Sequence, residues 1–441
     1  MRRLLVVAYY FPPSGGPGVQ RLLKFVKYLP ARGWQPTVLT VEAGAYPSLD
    51  PSLATDIPTN VAVHRTKALD PFGVYAKATG RAKAEVVTVG AVDQAPSLVE
   101  RLARFARANV FVPDARVGWV PYATRAARRL LRDAEQAGQP FDAVLTSGPP
   151  HSAHLIGRVL HRKTGLPWVA DFRDPWARHA LADVLPMTAA AAAFDARIER
   201  SVLREATRLV TVSPTWQQHL ADQAGRPAAD VAVVHNGYDA EDFEELGPAS
   251  ADADVFTLTH VGSLYATRDP VALWDALADL RSDEAIPKLR VRLVGSVAGE
   301  VRASLQARGL YEVTEIEPYV PHDAAIAAMR SATALLLTIE PFVLDAGMIT
   351  GKLYEYLAAG RPVVALGPAH GDAAAMLRDT GGGVLHARTD TAGLAATIRG
   401  HYDGWAAGTP RSGADTEAVA PFSREAQTGR LAAVLDALPC H

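Results

Sequence analysis

The segment Gly347-Met348-Ile349-Thr350-Gly351-Lys352-Leu353-Tyr354-Glu355 carries the strongest chemical signal in the chain. Gly351 stands where a helix begins, so backbone can approach a ligand closely and the helix N-terminus favours an anion such as phosphate. Lys352 adds a point charge. Glu355 lies one turn further on the same side, and its carboxylate has oxygens for both hydroxyls of a ribose. Gly360 ends that helix and Pro362 opens a strand. A capped helix alone explains Gly360 but not the ordered Gly-Lys-x-x-Glu.

Four other stretches combine small residues with polar ones just past an apolar run. In Gly262-Ser263-Leu264-Tyr265-Ala266-Thr267-Arg268-Asp269, small residues could cradle a diphosphate and Arg268 supply charge, or the stretch is a plain strand-to-helix loop. Pro12 to Gly18, with Gly15 and Gly16, allows close backbone approach, or is an ordinary turn. Ser147-Gly148-Pro149-Pro150-His151 puts His151 at a strand's carboxyl end, positioned for a sugar hydroxyl. His154, three residues on, reads as structural. Asp171-Phe172-Arg173-Asp174-Pro175-Trp176 offers carboxylates and an aromatic suited to sugar hydroxyls and faces; an internal Arg–Asp ion pair is the alternative. Asp252-Ala253-Asp254 has the spacing to hold a divalent ion, but its composition is that of a surface loop.

These stretches need an alternating scaffold. Leu4 to Tyr10 is a continuous apolar run, as in a parallel strand covered on both faces. Val19, Leu22, Leu23, Val26 and Leu29 then recur at helical spacing, and Thr37 to Val41 reads as the next strand. Further strand-like runs are Ala143 to Thr146, Trp168 to Phe172, Leu209 to Val212, Val231 to Val234 and Phe256 to Val261. The series continues with Val291 to Val294, Ala334 to Ile339, Pro362 to Leu366 and Gly383 to Leu385. Helical stretches such as Val271 to Leu280 and Lys352 to Ala359 fall between them. The alternation predicts α/β architecture with parallel sheets. Asp70 to Asp93 and Glu245 to Asp254 interrupt the rhythm. Leu98 to Val110, with Arg101, Arg104 and Arg107, is a basic amphipathic segment, suited to an anionic membrane surface or to a solvated helix face.

A chain of 441 residues suits two α/β domains better than one core. Hydrophobic residues at 49% and charged residues at 21% are an ordinary globular balance. A net charge of -2 argues against nucleic-acid binding. Cys440 is the only cysteine, which excludes a disulfide framework and a cysteine zinc site and fits a reducing compartment. The apolar run at Leu4 to Phe11 is too short for a secretory or membrane-spanning segment.

The run Lys352 to Val363 resembles the nucleotide-binding helix of GT-B glycosyltransferases, specifically the retaining enzymes of family 4. Tyr9-Tyr10-Phe11-Pro12-Pro13 with Gly15-Gly16 is similar to that family's first loop. Phe111-Val112-Pro113-Asp114 with Gly118-Trp119, the Ser147–His151 and Asp171–Trp176 stretches, Val212-Ser213, His235-Asn236-Gly237-Tyr238-Asp239 and His260-Val261-Gly262-Ser263 resemble one bacterial subgroup. The resemblance covers nearly the whole chain. It implies two facing Rossmann-like domains with a central cleft: an acceptor domain over 1–207, a nucleotide-sugar domain over 208–420, and a C-terminal helix over 421–441 that crosses back.

It also implies roles. Gly15, Gly16, Gly262, Ser263, Val320, Gly351, Lys352 and Leu353 would line the donor site, with Tyr319, Val320 and Pro321 holding the base through backbone. Arg268 and Lys352 would neutralise the leaving diphosphate, and Glu355 would bind the ribose. His151 would lie near the reacting sugar, and Asp174 would contact the acceptor. The family often has an earlier glutamate touching the donor sugar. Gly347 stands there, and backbone amides of the Asp345–Thr350 loop are the expected substitute. A UDP- or GDP-hexose would be the co-substrate, with no cofactor and no metal. A glycan, lipid-linked or small-molecule acceptor, a cytoplasmic location and contact with the inner face of a membrane follow from the same likeness. A sugar-nucleotide epimerase of the same fold and an inactive binding module are the alternatives. The first needs proton-transfer carboxylates, and the second is supported only by the absent glutamate.

Overall fold

Alternate residues of the central strands belong to different apolar clusters, and this period of two builds both halves of the molecule. The computed structural model describes residues 1–42, 44, 46, 48–69, 105–176, 187–244, 252 and 254–439. Asp70 to Asp93, the first part of the Leu98–Val110 segment, most of Glu245–Asp254 and Cys440 lie outside them. The chain divides into two units, one formed by Met1–His235 with Gln427–His441 and the other by Asn236–Ala426.

The first unit holds strands β1 (Arg2–Val7), β2 (Trp34–Val41), β3 (Ala62–Thr66), β4 (Ala143–Gly148), β5 (Trp168–Phe172), β6 (Arg208–Thr211) and β7 (Val231–Val233). Their order in the sheet is β3-β2-β1-β4-β5-β6-β7, and neighbours pair in parallel. On β1, Leu5 and Val7 join the cluster with Val144 and Trp168, whereas Leu4 and Val6 join the one with Leu145 and Val169. Both faces are therefore covered, which explains the unbroken apolar run. Helices α1 (Pro17–Tyr28), α2 (Val120–Gln136), α3 (Ser152–Thr164), α4 (Ala189–Glu205) and α5 (Pro214–Ala224) supply the cover.

The second unit repeats the plan. Its strands are β8 (Phe256–Val261), β9 (Leu289–Val294), β10 (Thr314–Glu317), β11 (Ala334–Thr338), β12 (Val363–Gly367) and β13 (Gly383–Ala387), in the order β10-β9-β8-β11-β12-β13. Leu335 and Leu337 face one cluster, and Leu336 and Val364 the other. Helices α6 (Val271–Ser282), α7 (Gly299–Ala307), α8 (His322–Ser331), α9 (Gly351–Ala358), α10 (Asp372–Asp379) and α11 (Thr391–Ala406) accompany them. The last helix, α12 (Arg424–Asp436), sends Leu431 and Leu435 into the first unit's core beside Leu4 and Val6.

The strand order reverses direction between β1 and β4 in one sheet and between β8 and β11 in the other. Open parallel sheets form their ligand crevices beyond the carboxyl ends of the strands at such switch points.

The structure corrects the sequence reading of the domain boundary. Leu209–Val212 does not open the second unit near residue 207. Leu209 aligns with Ala170 and Val210 with Asp171, so β6 extends the first sheet, β7 follows it, and the division falls after His235. Strands β3 and β10 are absent from the apolar runs read above. Each is the outer strand of its sheet and carries polar residues, His64 and Arg65 in one and Glu315 and Glu317 in the other.

Candidate active sites of the two units

In the second unit the chain leaves β8 through Gly262, at φ 117, whose N–H donates to the Val294 carbonyl at 2.7 Å. The Lys352 ammonium fills the space a side chain at 262 would need. Helix α9 is held there by Tyr356: the Val261 N–H donates to its hydroxyl at 2.8 Å. Burial, then Arg268, pulls the Lys352 ammonium down to about 8, against the opposing pull of Glu355. Lys352 makes no hydrogen bond or ion pair among the described residues.

Glu355 lies on α9 one turn beyond Lys352, and burial pushes its carboxyl up, against Arg424 and His322. It accepts no hydrogen bond among the described residues. Thr350 occupies the N-cap position of α9 without capping it, and its buried Oγ1 lacks a partner among them. Gly351 is half-buried at the first position, and Leu353 is wholly in the core. The Leu353 N–H donates to the Thr350 carbonyl at 3.1 Å, so neither its side chain nor its amide is offered to a ligand.

Arg268 is occupied. Its Nε and Nη2 donate to Glu340 Oε2 at 3.2 and 3.0 Å, and Thr267 Oγ1 donates to Glu340 Oε1 at 2.7 Å. Glu340 directly follows Ile339 at the carboxyl end of β11, across the switch point from Gly262. Ser263 is half-buried beside it, Val320 packs on the core and Tyr319 is 86% exposed. In the Asp345–Thr350 loop, Asp345 pairs with Arg388 at 2.6 Å, and the Gly347 and Met348 amides donate to the Leu344 and Asp345 carbonyls. Those two amides are spent within the turn.

In the first unit Gly16, at φ 104, is the N-cap of α1, and a side chain at Gly15 would press on Ser48 and Asp50. His151 is 1% exposed. Its ring stacks on Trp176 at 4.7 Å and 18°, and Nε2 bonds the Pro175 carbonyl at 3.1 Å, which requires the proton on Nε2. Burial lowers its basicity, leaving Nδ1 as an acceptor with no partner among the described residues. His154 bonds Thr146 Oγ1 at 2.8 Å and is buried among aromatics. Burial raises the half-buried Asp174 carboxyl. The ion pair anticipated within Asp171–Trp176 joins other partners. Asp171 pairs with Arg21 of α1 at 2.9 Å, both 1% exposed, and Arg173 donates to the Gly148 and Pro149 carbonyls.

Among the described residues no group of three or more His, Cys, Asp or Glu side chains could hold a metal ion. Asp252 accepts from the Asp254 N–H at 2.9 Å and faces Arg290 at 3.7 Å, as a loop residue does; Ala253 lies outside them. No helix among them is long and apolar enough to cross a membrane. Sequence reading did not single out Glu340 as the partner of Arg268, a contact that only the fold makes.

Each sheet thus presents a switch point, and the one in the second unit holds a cation and a carboxylate on a single helix. The glycosyl transferase 4-like domain profile matches residues 15–237, and the glycosyl transferases group 1 profile matches residues 255–403. The chain belongs to this glycosyltransferase family. Glycogen synthases of two Mycobacterium tuberculosis strains are 28% identical over 228 residues, 49% of this chain and 50% of theirs. The match thus spans about half the length of these relatives. Among solved structures, Anabaena HepE in complex with UDP-glucose has a TM-score of 0.60 at 17% identity, covering 99% of this chain and 100% of that one. Sucrose-phosphate synthase of Thermosynechococcus elongatus has a TM-score of 0.61 at 15% identity, covering 99% and 98%. These two likenesses show the GT-B fold.

Proposed function

We propose that the chain transfers a hexose from a nucleotide-sugar donor to a glycan, lipid-linked or small-molecule acceptor, with retention and without a metal ion. The observation that carries this reading is the Lys352 ammonium seated against Gly262 at the β8–β11 switch point, with the unengaged Glu355 one turn along the same helix. The cation suits a diphosphate and the carboxylate suits the hydroxyls of a ribose. HepE, of the same fold, was solved with UDP-glucose, and glycogen synthases are relatives over part of the chain.

The bond from the sugar's anomeric carbon to the diphosphate oxygen breaks as the acceptor oxygen bonds from the same face. The departing phosphate oxygen takes the acceptor's proton. Lys352, and Arg268 once released from Glu340, neutralise the charge that gathers on the leaving group. Such fixed cations act where charge develops, which is where they lower a barrier. Gly15, Gly16, His151 and Asp174 are assigned to the sugar and the acceptor.

The test is thermal-shift binding of UDP, GDP, ADP and their hexose conjugates, on the wild type and on Glu355→Ala. Ligand at 100 times its Kd adds about 2.7 kcal/mol. A shift for one nucleotide that vanishes in the variant supports the reading and fixes the base. No shift with any of them sinks it.

A further inference from the structure

Helix α2 turns one side to the first sheet and the other to solvent. Ala123, Ala127, Leu131 and Ala134 recur at steps of three and four residues and pack with Leu5 and Val7 of β1. Arg125, Arg128, Arg129 and Arg132 recur at the same spacing on the opposite side, and all four are exposed. None of the four makes a hydrogen bond or an ion pair among the described residues. Asp133 stands four residues after Arg129 and Glu135 three after Arg132, yet neither carboxylate pairs with them there.

The neighbouring helix adds to this charge. α3 packs against α2 and carries Arg158, Arg162 and Lys163 with no carboxylate of its own. Arg162 is held by Glu205 of α4, and Lys163 is exposed. The whole chain has a net charge of -2, so this face departs sharply from the rest. Like charges three and four residues apart on a helix repel. Arg128 and Arg129 each stand at that distance from both Arg125 and Arg132. A negative surface laid against the stripe relieves all four repulsions.

One end of the stripe is apolar. Tyr122 is 40% exposed, and Leu69, 63% exposed, lies against Gly118 just before the helix. Trp119 anchors this end: its Nε1 donates to Thr66 Oγ1 at 2.8 Å, and its ring meets that of Tyr9 edge-on at 5.4 Å. Tyr9 follows β1 and Thr66 ends β3, so the apolar end lies on the side of the sheet where the crevice opens. Arginines beside an aromatic and an aliphatic side chain match the headgroup layer of a bilayer. Guanidinium forks take lipid phosphates, and the apolar groups enter the boundary with the acyl chains. A nucleic acid or an acidic glycan offers the anions but no apolar layer for Leu69 and Tyr122.

We propose that the solvent face of α2, from Tyr122 to Arg132, docks the first unit on an anionic lipid surface. This helix is a different element from the Leu98–Val110 segment, and the docking does not rest on the transferase reading.

The test is flotation of the full chain with phosphatidylcholine vesicles, with and without phosphatidylglycerol. The chain should bind the anionic vesicles alone and lose them as salt rises. An arginine at such a surface is worth about fivefold in affinity, so Arg125→Gln with Arg129→Gln should weaken binding by about twenty-five-fold. Both side chains are exposed, so the fold should survive, and an unchanged unfolding midpoint checks this. No binding to anionic vesicles overturns the docking face. So does undiminished binding in the double variant, since the contact then lies elsewhere on the chain. Tyr122→Ala keeps the charge and should still weaken vesicle binding severalfold. Unchanged binding in that variant means that charge alone is read, and the lipid assignment gives way to a general polyanion site. Duplex DNA should bind the wild type more weakly than the anionic vesicles, and equal binding overturns the lipid assignment as well. If vesicle binding follows Arg125 and Arg129 while no nucleotide shifts the midpoint, the docking face stands and the transferase reading fails.

Discussion

The Lys352 Nζ lies too close to Gly262 to leave room for the Cβ of any other residue at that position. Gly262 also sits at φ 117, a conformation that a residue with a side chain adopts at a cost of about 1–3 kcal/mol. Gly262→Ala therefore displaces the ammonium and strains the turn together. Turnover is expected to fall by about a hundredfold, the usual scale for losing one positioned charge stabiliser. Steady-state kinetics with circular dichroism checks this. Near-wild-type turnover in a folded variant would show that the ammonium finds its place without the glycine.

Under the proposed function, Arg268 must leave Glu340 to reach the donor's diphosphate. The pair is partly solvated, so it contributes under about 1 kcal/mol to stability. Glu340→Gln should leave the unfolding midpoint almost unchanged and tighten UDP binding by about threefold, since competition from a charged carboxylate is removed. Calorimetric titration reads this directly. Weaker binding in the variant would mean that Glu340 holds Arg268 in its working position.

Lys352 sets a pH limit. Its folded value is about 8, below the ordinary 10.5, so it loses its proton as pH rises through about 8. Diphosphate affinity should then decline above that point, by up to about tenfold per pH unit. The anion favours the charged ammonium, so binding near pH 8 should take up a proton. Titrations in buffers of different ionisation enthalpy detect that uptake, and a flat affinity across this window would remove Lys352 from the diphosphate site.

The buried Arg21–Asp171 pair is structural. Arg21 also donates to the His235 carbonyl at 2.5 Å, and Ser147 Oγ donates to Asp171 at 2.7 Å. Arg21→Met leaves the carboxylate buried without its cation, at a cost of about 3–5 kcal/mol. Urea unfolding followed by tryptophan fluorescence should show the loss. A shift under about 1 kcal/mol would mean that water reaches Asp171.

The elements that sequence reading recovered are those whose signal is local. Leu4 to Val7 and Ala334 to Thr338 are buried on both faces and read as unbroken apolar runs. Ala62–Thr66 and Thr314–Glu317 were missed because an outer strand keeps solvated, charged positions. The boundary was misplaced because the run at Leu209 looks the same in either sheet; only its pairing with Ala170 assigns it. The site divides in the same way. That Lys352 and Glu355 share one helical turn was legible. Arg268 and Glu340 are far apart in sequence, and nothing local announced that the cation was held. The fit of Arg173 over Gly18 depends on α1 and β5 meeting through the sheet, so it too was invisible in the string of residues.

Leu431 and Leu435 complete a cluster that begins at Leu4 and Val6. During synthesis the ribosome must therefore finish the whole Asn236–Ala426 unit before the first sheet can close its second face. The nascent first unit carries an uncovered apolar strip throughout that interval, while the later unit can fold as soon as it emerges. The part of the chain made first is the part that matures last.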